Sequence, residues 1–327
     1  MRAGLRARAS CAGLRVRIGA SGLAVAALLA ASPAAAPSST AAGGSYAVGM
    51  RVLRFVDGSR LARPLHRRPE TRKLPMVLRY PAAGATNVPE SVGTPAAKGP
   101  FPLIVFAHGF AVTPATYSRL LASWTRAGYV VAAPVFPLEN ANAPGGPLES
   151  DLVNEPADIS FVISKLLAAS ATPGTALSGL IDPSRIAVAG QSDGAMAALA
   201  TAYSRRLRDP RVRAAVILSG AEMSGIGGYS FAEGEPPLLA AQGTADTSNE
   251  PRYTYAYFRA ARHPKYLLRL LGAEHLPPYT TQQPQLGVVE RVSAAFLDGY
   301  LRGGTGVAQR LATLGSSAGT ATLSAQP

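Results

Sequence analysis

Arg185-Ile186-Ala187-Val188-Ala189-Gly190-Gln191-Ser192-Asp193-Gly194 decides the reading of this chain. Residues 185–190 are a short apolar run of the kind that forms a strand covered on both faces. Residues 195–203 are small and apolar enough to form a packed helix. Between them stands G-x-S-x-G, with Ser192 at its centre. A serine on a sharp strand-to-helix turn has a strained backbone, and a Cβ on either flank would strike the neighbouring strand or helix. Glycines at 190 and 194 let such a turn close and leave the Ser192 hydroxyl projecting above the sheet. Ser192 is therefore the candidate nucleophile.

Outward from this stretch, strands and helices alternate. Residues 103–106 (Leu-Ile-Val-Phe), 129–135, 212–218, 238–242 and 266–270 read as buried strands. Residues 116–127, 151–169, 252–261 and 288–301 carry apolar side chains at helical spacing. This alternation predicts an α/β domain with a mostly parallel, twisted sheet and helices on both faces. Residues 48–56 and 76–80 precede it as an antiparallel pair at the sheet's N-terminal edge, joined by the basic, proline-containing stretch 57–75.

A serine hydroxyl needs a base, and the base needs an acid to orient it. On a strand–turn–helix elbow the order is nucleophile, acid, histidine. Of four histidines, His66 and His263 read as surface residues and His108 precedes the nucleophile. His275 follows the last core strand and is the candidate base. Asp246 lies just beyond strand 238–242 and is the candidate acid, because parallel strands end at one edge of a sheet; Asp158, Asp182 and Glu250 are the alternatives. The loop His108-Gly109-Phe110 closes strand 103–106. Main-chain N–H groups of Phe110 and Asp193 are the expected oxyanion donors. Phe110 and Leu276 are expected to line the acyl site, framed by residues 136–150 and 221–236.

The 327 residues are 47% hydrophobic and 16% charged, enough for a large core and too little charge for disorder. Residues 1–36 read as an export signal: five arginines and no acid before residue 18, an apolar run from Ile18 to Ala31, then a small-residue exit. The run is too short to span a bilayer comfortably, so no stable membrane insertion is expected. Cys11 is the single cysteine and precedes that run, so an exported protein would carry neither thiol nor disulfide. The organisation expected is a signal peptide over 1–36, a flexible linker over 37–45, a catalytic domain over 46–302 and a loosely attached tail of small residues over 303–327. Net charge is +13, or +8 without the leader's five arginines. The remaining cations, among them Arg63, Arg67, Arg68, Arg72 and Lys73, are scattered and read as a solvated surface rather than a nucleic-acid patch. No histidine and carboxylate spacing suggests a zinc site, and no cofactor is implied.

Taken together, Leu78-Arg79-Tyr80-Pro81-Ala82, Phe101–Phe110, Asp182-Pro183-Ser184-Arg185-Ile186, the Gly190–Gly194 elbow, Gly243-Thr244-Ala245-Asp246 and His275 resemble the α/β-hydrolases. The group is the one containing dienelactone-hydrolase-like proteins, platelet-activating-factor acetylhydrolases, chlorophyllases and polyester-cleaving cutinases. The resemblance runs from about Val48 to Leu301 and implies a carboxylesterase or lipase acting on short to medium acyl esters, small-molecule or polymeric; with the export signal over 1–36 the protein is expected to be secreted, and it is expected to be a monomer. Two departures matter. Dienelactone hydrolases use cysteine where Ser192 stands, and cutinases of this type often carry a disulfide. A polyester or cutin hydrolase is the second reading, and a non-catalytic binding protein on the same scaffold the third.

Overall fold

The computed structural model describes residues 45–327. The export signal over 1–36, Cys11 and all but the last residue of the 37–45 linker lie outside them. The described chain opens on an antiparallel hairpin, β1 (Ala47–Ala62) and β2 (Glu70–Ala82), with the two-residue β3 (Ser91–Val92) beside β1. There follow β4 (Phe101–Ala107), α1 (Ser118–Arg126), β5 (Val130–Pro134), α2 (Glu155–Ala171), β6 (Ile181–Gln191) and α3 (Asp193–Tyr203). The second half is β7 (Val212–Leu218), β8 (Leu238–Gly243), α4 (Pro251–Ala260), β9 (Lys265–Leu270), α5 (Pro277–Thr280), α6 (Gln285–Arg302), α7 (Val307–Gly315) and β10 (Ala321–Gln326).

All ten strands form one sheet in the order β10-β9-β8-β7-β6-β4-β5-β2-β1-β3. Strands β4 to β9 pair in parallel, which the intervening helices and, between β7 and β8, the long connection over 219–237 make possible. Alternation along β4 divides the interior into two cores. Leu103, Val105 and Ala107 face α2, α3 and the buried Tyr257 and Phe258 of α4. Ile104 and Phe106 face Leu120, Leu121 and Trp124 of α1 and Val288, Val292 and Phe296 of α6. Helices thus cover both faces, as the sequence pattern predicts. Among the described residues no helix is long and apolar enough to cross a membrane.

Two expectations are corrected. Residues 303–327 are not a loose tail: α7 packs on α6 with Leu311 fully buried, and β10 pairs antiparallel with β9 over six residues. The physical reason is a faint but real pattern, Ala321-Thr322-Leu323-Ser324, whose period of two suits a half-covered edge strand. Nor is stretch 57–75 a solvated loop throughout. The hairpin strands run on to Ala62 and Glu70, and Arg72 is completely buried. Its guanidinium donates from both Nη atoms to Asp151, at 2.9 Å each, and from Nε to Asp158 at 2.9 Å. Arg60 reaches Asp158 as well, at 2.6 Å. Two carboxylates on the covering helical segment require a cation there, and the hairpin supplies it.

Candidate active site

The turn between β6 and α3 puts Ser192 at φ 57°, ψ −125°, a region that residues with a Cβ rarely enter. The elbow is held by the Ser192 N–H, which donates to the Leu218 carbonyl at 3.0 Å, and by the first turn of α3. A Cβ at Gly190 would collide with the Gly194 carbonyl, and one at Gly194 with the carbonyls of Ala107 and His108. The flanking glycines are therefore demanded by close backbone approach, as the motif implies.

Strands β8 and β9 end at the same edge, and their following loops touch. A Cβ at Gly243 would strike the Ala273 carbonyl, and the Ala245 N–H donates to that same carbonyl at 3.0 Å. This contact brings Asp246 and His275 together: His275 Nδ1 lies 2.8 Å from Asp246 Oδ2, and His275 Nε2 lies 2.8 Å from Ser192 Oγ. Facing a carboxylate, Nδ1 carries the proton, which leaves Nε2 as acceptor for the Ser192 O–H. Asp246 is itself buried and held by four donors: the N–H groups of Ser248 and Asn249 at 2.9 Å each, Gln242 Nε2 at 3.1 Å and the imidazole. Burial acts to raise the Asp246 pKa, but the bond and charge of His275 and the Asn249 N–H together hold it below the ordinary value.

The loop after β4 lies against Ser192, whose Cβ a side chain at Gly109 would meet at 3.1 Å. Buried His108 accepts the Phe136 N–H at Nε2, 3.1 Å away, so its proton sits on Nδ1 and points to the Gly109 carbonyl at 2.9 Å. Burial pushes the His108 pKa down to about 4, the neutral state that this pairing needs. The Gly109 N–H donates to Tyr117 Oη at 3.2 Å and the Ala111 N–H to the Glu139 carbonyl at 2.8 Å. The Phe110 N–H between them has no acceptor among the described residues, and neither has the Asp193 N–H, which opens α3 where amides lack intrahelical partners. Phe110 is 39% exposed, and Leu276 is half-buried next to His275 in the chain.

The family model described as Chlorophyllase matches residues 77–221, a span that includes β4, the Phe110 loop and the elbow and stops before Asp246. Among solved structures, a ferulic acid esterase from Streptomyces cinnamoneus superposes with a TM-score of 0.61 over 79% of this chain and 91% of its own, at 23% identity. The chain is an α/β-hydrolase by fold. No curated protein matches it.

The other candidate acids of this α/β-hydrolase lie elsewhere. Asp182 opens β6 at the far end of the strand and bonds to Ser184. Asp158 is engaged by Arg72, and Glu250 pairs with Arg252 on the surface before α4. His66, His263 and Glu274 are exposed. Of the two loops expected to frame the cleft, residues 136–150 do border the site, through Glu139 and through Ala141, whose N–H reaches the Val112 carbonyl at 3.2 Å. Residues 221–236 mostly do not. Their Tyr229 and Phe231 stack and pack toward Tyr203, at the end of α3 remote from Ser192. Gln191, Gln242 and Tyr117, none of them a candidate from the sequence, are buried side chains that hold the site's loops. The two glutamines carry a signal, a glutamine closing an apolar strand, which a buried β6 or β8 accepts only with hydrogen-bond partners; Tyr117 carries none.

Proposed function

We propose that this protein is a serine hydrolase that cleaves carboxylic esters of short to medium acyl length, outside the cell after export. The Chlorophyllase match and the fold of an esterase neighbour support a carboxylic ester hydrolase. The observation that carries the finer reading is the pair of 2.8 Å contacts linking Ser192, His275 and Asp246. In the proposed reaction His275 Nε2 takes the Ser192 proton as Oγ bonds to the ester carbonyl carbon. The tetrahedral oxyanion is received by the N–H groups of Phe110 and Asp193, each worth about 3 kcal/mol by analogy with other such donors. His275 then protonates the leaving alcohol, and water deacylates Ser192 by the same route in reverse. Asp246 keeps the imidazole in its Nδ1–H tautomer and stabilises the imidazolium. Phe110 and Leu276 line the acyl side.

A fluorophosphonate probe tests the reaction class. The wild type should label and Ser192→Ala should not; equal labelling of both would reject the assignment. p-Nitrophenyl esters of increasing chain length, with an aryl polyester film beside them, then separate an esterase preferring short to medium chains from a polyester hydrolase. Export is tested by fractionating cells that express the full chain, where retention of the uncleaved chain in the cytoplasm would count against it.

A further inference from the structure

Gln191, one residue before the nucleophile, is 1% exposed and its carboxamide is fully engaged. Tyr117, fully buried at the end of a single 3-10 turn before α1, donates its O–H to Gln191 Oε1 at 2.7 Å. The same Tyr117 oxygen accepts the Gly109 N–H at 3.2 Å. At its other end Gln191 Nε2 donates to the His275 carbonyl at 3.1 Å and lies 3.4 Å from the imidazole Nε2. These roles are forced. The Gly109 amide can only donate, so the phenol hydrogen is left for Gln191 Oε1, and the His275 carbonyl can only accept, so it faces the NH2 end. Burial keeps the phenol protonated by raising its pKa. A Cβ at Gly109 would come within 3.0 Å of Gln191 Oε1 and 3.2 Å of Tyr117 Oη, so the loop is closed tightly on the bridge.

We propose that Tyr117 and Gln191 form a positioning bridge that ties the loop bearing the Phe110 amide to the loop bearing His275, so that oxyanion donor and base keep one spacing around Ser192. The proposal rests on the serine-hydrolase reading. Tyr117 touches none of the reacting atoms, and Gln191 acts in this role through the His275 carbonyl at 3.1 Å, the shorter of its two contacts with that residue. The bridge fixes the main chain on both sides of the nucleophile, and errors of an ångström in such positions cost about a hundredfold in rate.

The test uses Gln191→Leu, Gln191→Glu, Tyr117→Phe and the Tyr117→Phe/Gln191→Leu double variant. With a p-nitrophenyl ester, Gln191→Leu should lower kcat by roughly 10- to 100-fold with KM within about twofold. Tyr117→Phe should cost less, and the double variant about the same as Gln191→Leu alone, because either change breaks one bridge. Gln191→Glu can donate to the His275 carbonyl only when protonated, so its kcat relative to wild type should recover as pH falls. Additive losses in the double variant, or a flat pH ratio for Gln191→Glu, would overturn the bridge. If Gln191→Leu fails to fold, Tyr117→Phe decides alone: a rate of fluorophosphonate labelling equal to wild type sinks the proposal. A wild type that does not label at all instead defeats the underlying reading.

Discussion

Glu139 and Glu155 are both fully buried and face each other, and none of their four carboxyl oxygens accepts a hydrogen bond from the described residues. Two anions cannot be kept in such a place, so the pair holds protons that exposed glutamates would have lost. Burial, then the nearby Asp193 charge, pushes Glu139 up to about 9, and burial and Glu139 itself raise Glu155. An acid whose folded-state pKa exceeds its unfolded value stabilises the fold fully only below the unfolded value. That contribution is lost as pH climbs from 4.5 through about 9. Thermal stability should therefore peak in mild acid and fall toward pH 9. Glu155→Gln supplies a permanent N–H donor and should raise Tm at pH 8 by about 5 °C, a gain that disappears near pH 5. Calorimetry at the two pH values checks this, and an equal gain at both would mean that no raised carboxyl pKa is involved.

Asp246→Asn tests the acid. Asp246 accepts two main-chain N–H groups on one oxygen and Gln242 with His275 on the other. An amide that keeps its oxygen on the main chain would present NH2 to Gln242 Nε2 and to His275 Nδ1, both donors. The imidazole would be driven to its other tautomer, leaving Nε2 protonated and useless to Ser192. A fall in kcat of about 10⁴-fold is expected by analogy with other triads. Tm should drop by only a few degrees, since one buried bond is lost. Stopped-assay kinetics and a melt on the same sample separate the two effects. A variant within tenfold of wild type would remove Asp246 from the proposed triad.

The elbow, the alternation of strands and helices beyond it and the candidate set Ser192, Asp246 and His275 were legible because each rests on local pattern plus the rule that parallel strands share an edge. The motif by itself was not decisive. Gly315-Ser316-Ser317-Ala318-Gly319 has the same spacing but sits in a turn between α7 and β10, where Ser317 serves only main-chain bonds. What stayed hidden was long-range. Arg72 read as one more surface cation because its partners, Asp151 and Asp158, lie about 80 residues away in sequence. Gln191 read as filler in G-x-S-x-G because its two partners come from separate loops. Glu139 and Glu155 gave no local sign of pairing at all.

Arg72 joins the N-terminal hairpin to α2 and the turn before it, and its loss leaves buried Asp151 with no cation and Asp158 with Arg60 alone. Arg72→Met should destabilise the protein by about 3 kcal/mol, most of it the cost of leaving Asp151 unpaired. Arg72→Lys should recover only part of this, because an ammonium cannot present paired Nη donors to Asp151 while Nε serves Asp158. Urea unfolding of the three proteins gives the order. A methionine variant as stable as wild type would mean that the buried ions contribute no net stability.

The C-terminal segment gives the sharpest contrast between composition and structure. β10 covers the edge of β9 over six paired residues, and the Leu271 N–H adds a bond to the Thr320 carbonyl at 2.8 Å. Leu311 is fully buried, Val307 fits against Gly299 of α6, and Leu323 lies against Gly315. Deleting residues 304–327 would bare a row of unpaired N–H and C=O groups on β9 and uncover Leu268 and Leu270 beneath them. Burial of Leu311 with the partly covered Val307 and Leu323 is worth roughly 5 kcal/mol. The shortened chain should therefore melt about 10 °C lower or aggregate. Leu311→Ala, which keeps the strand, should cost about 2–4 kcal/mol. Because β9 leads directly into the loop of His275, the deletion should also weaken fluorophosphonate labelling at temperatures where the protein is still folded. A shortened chain that melts and labels like the full one would return this segment to the status of a tail.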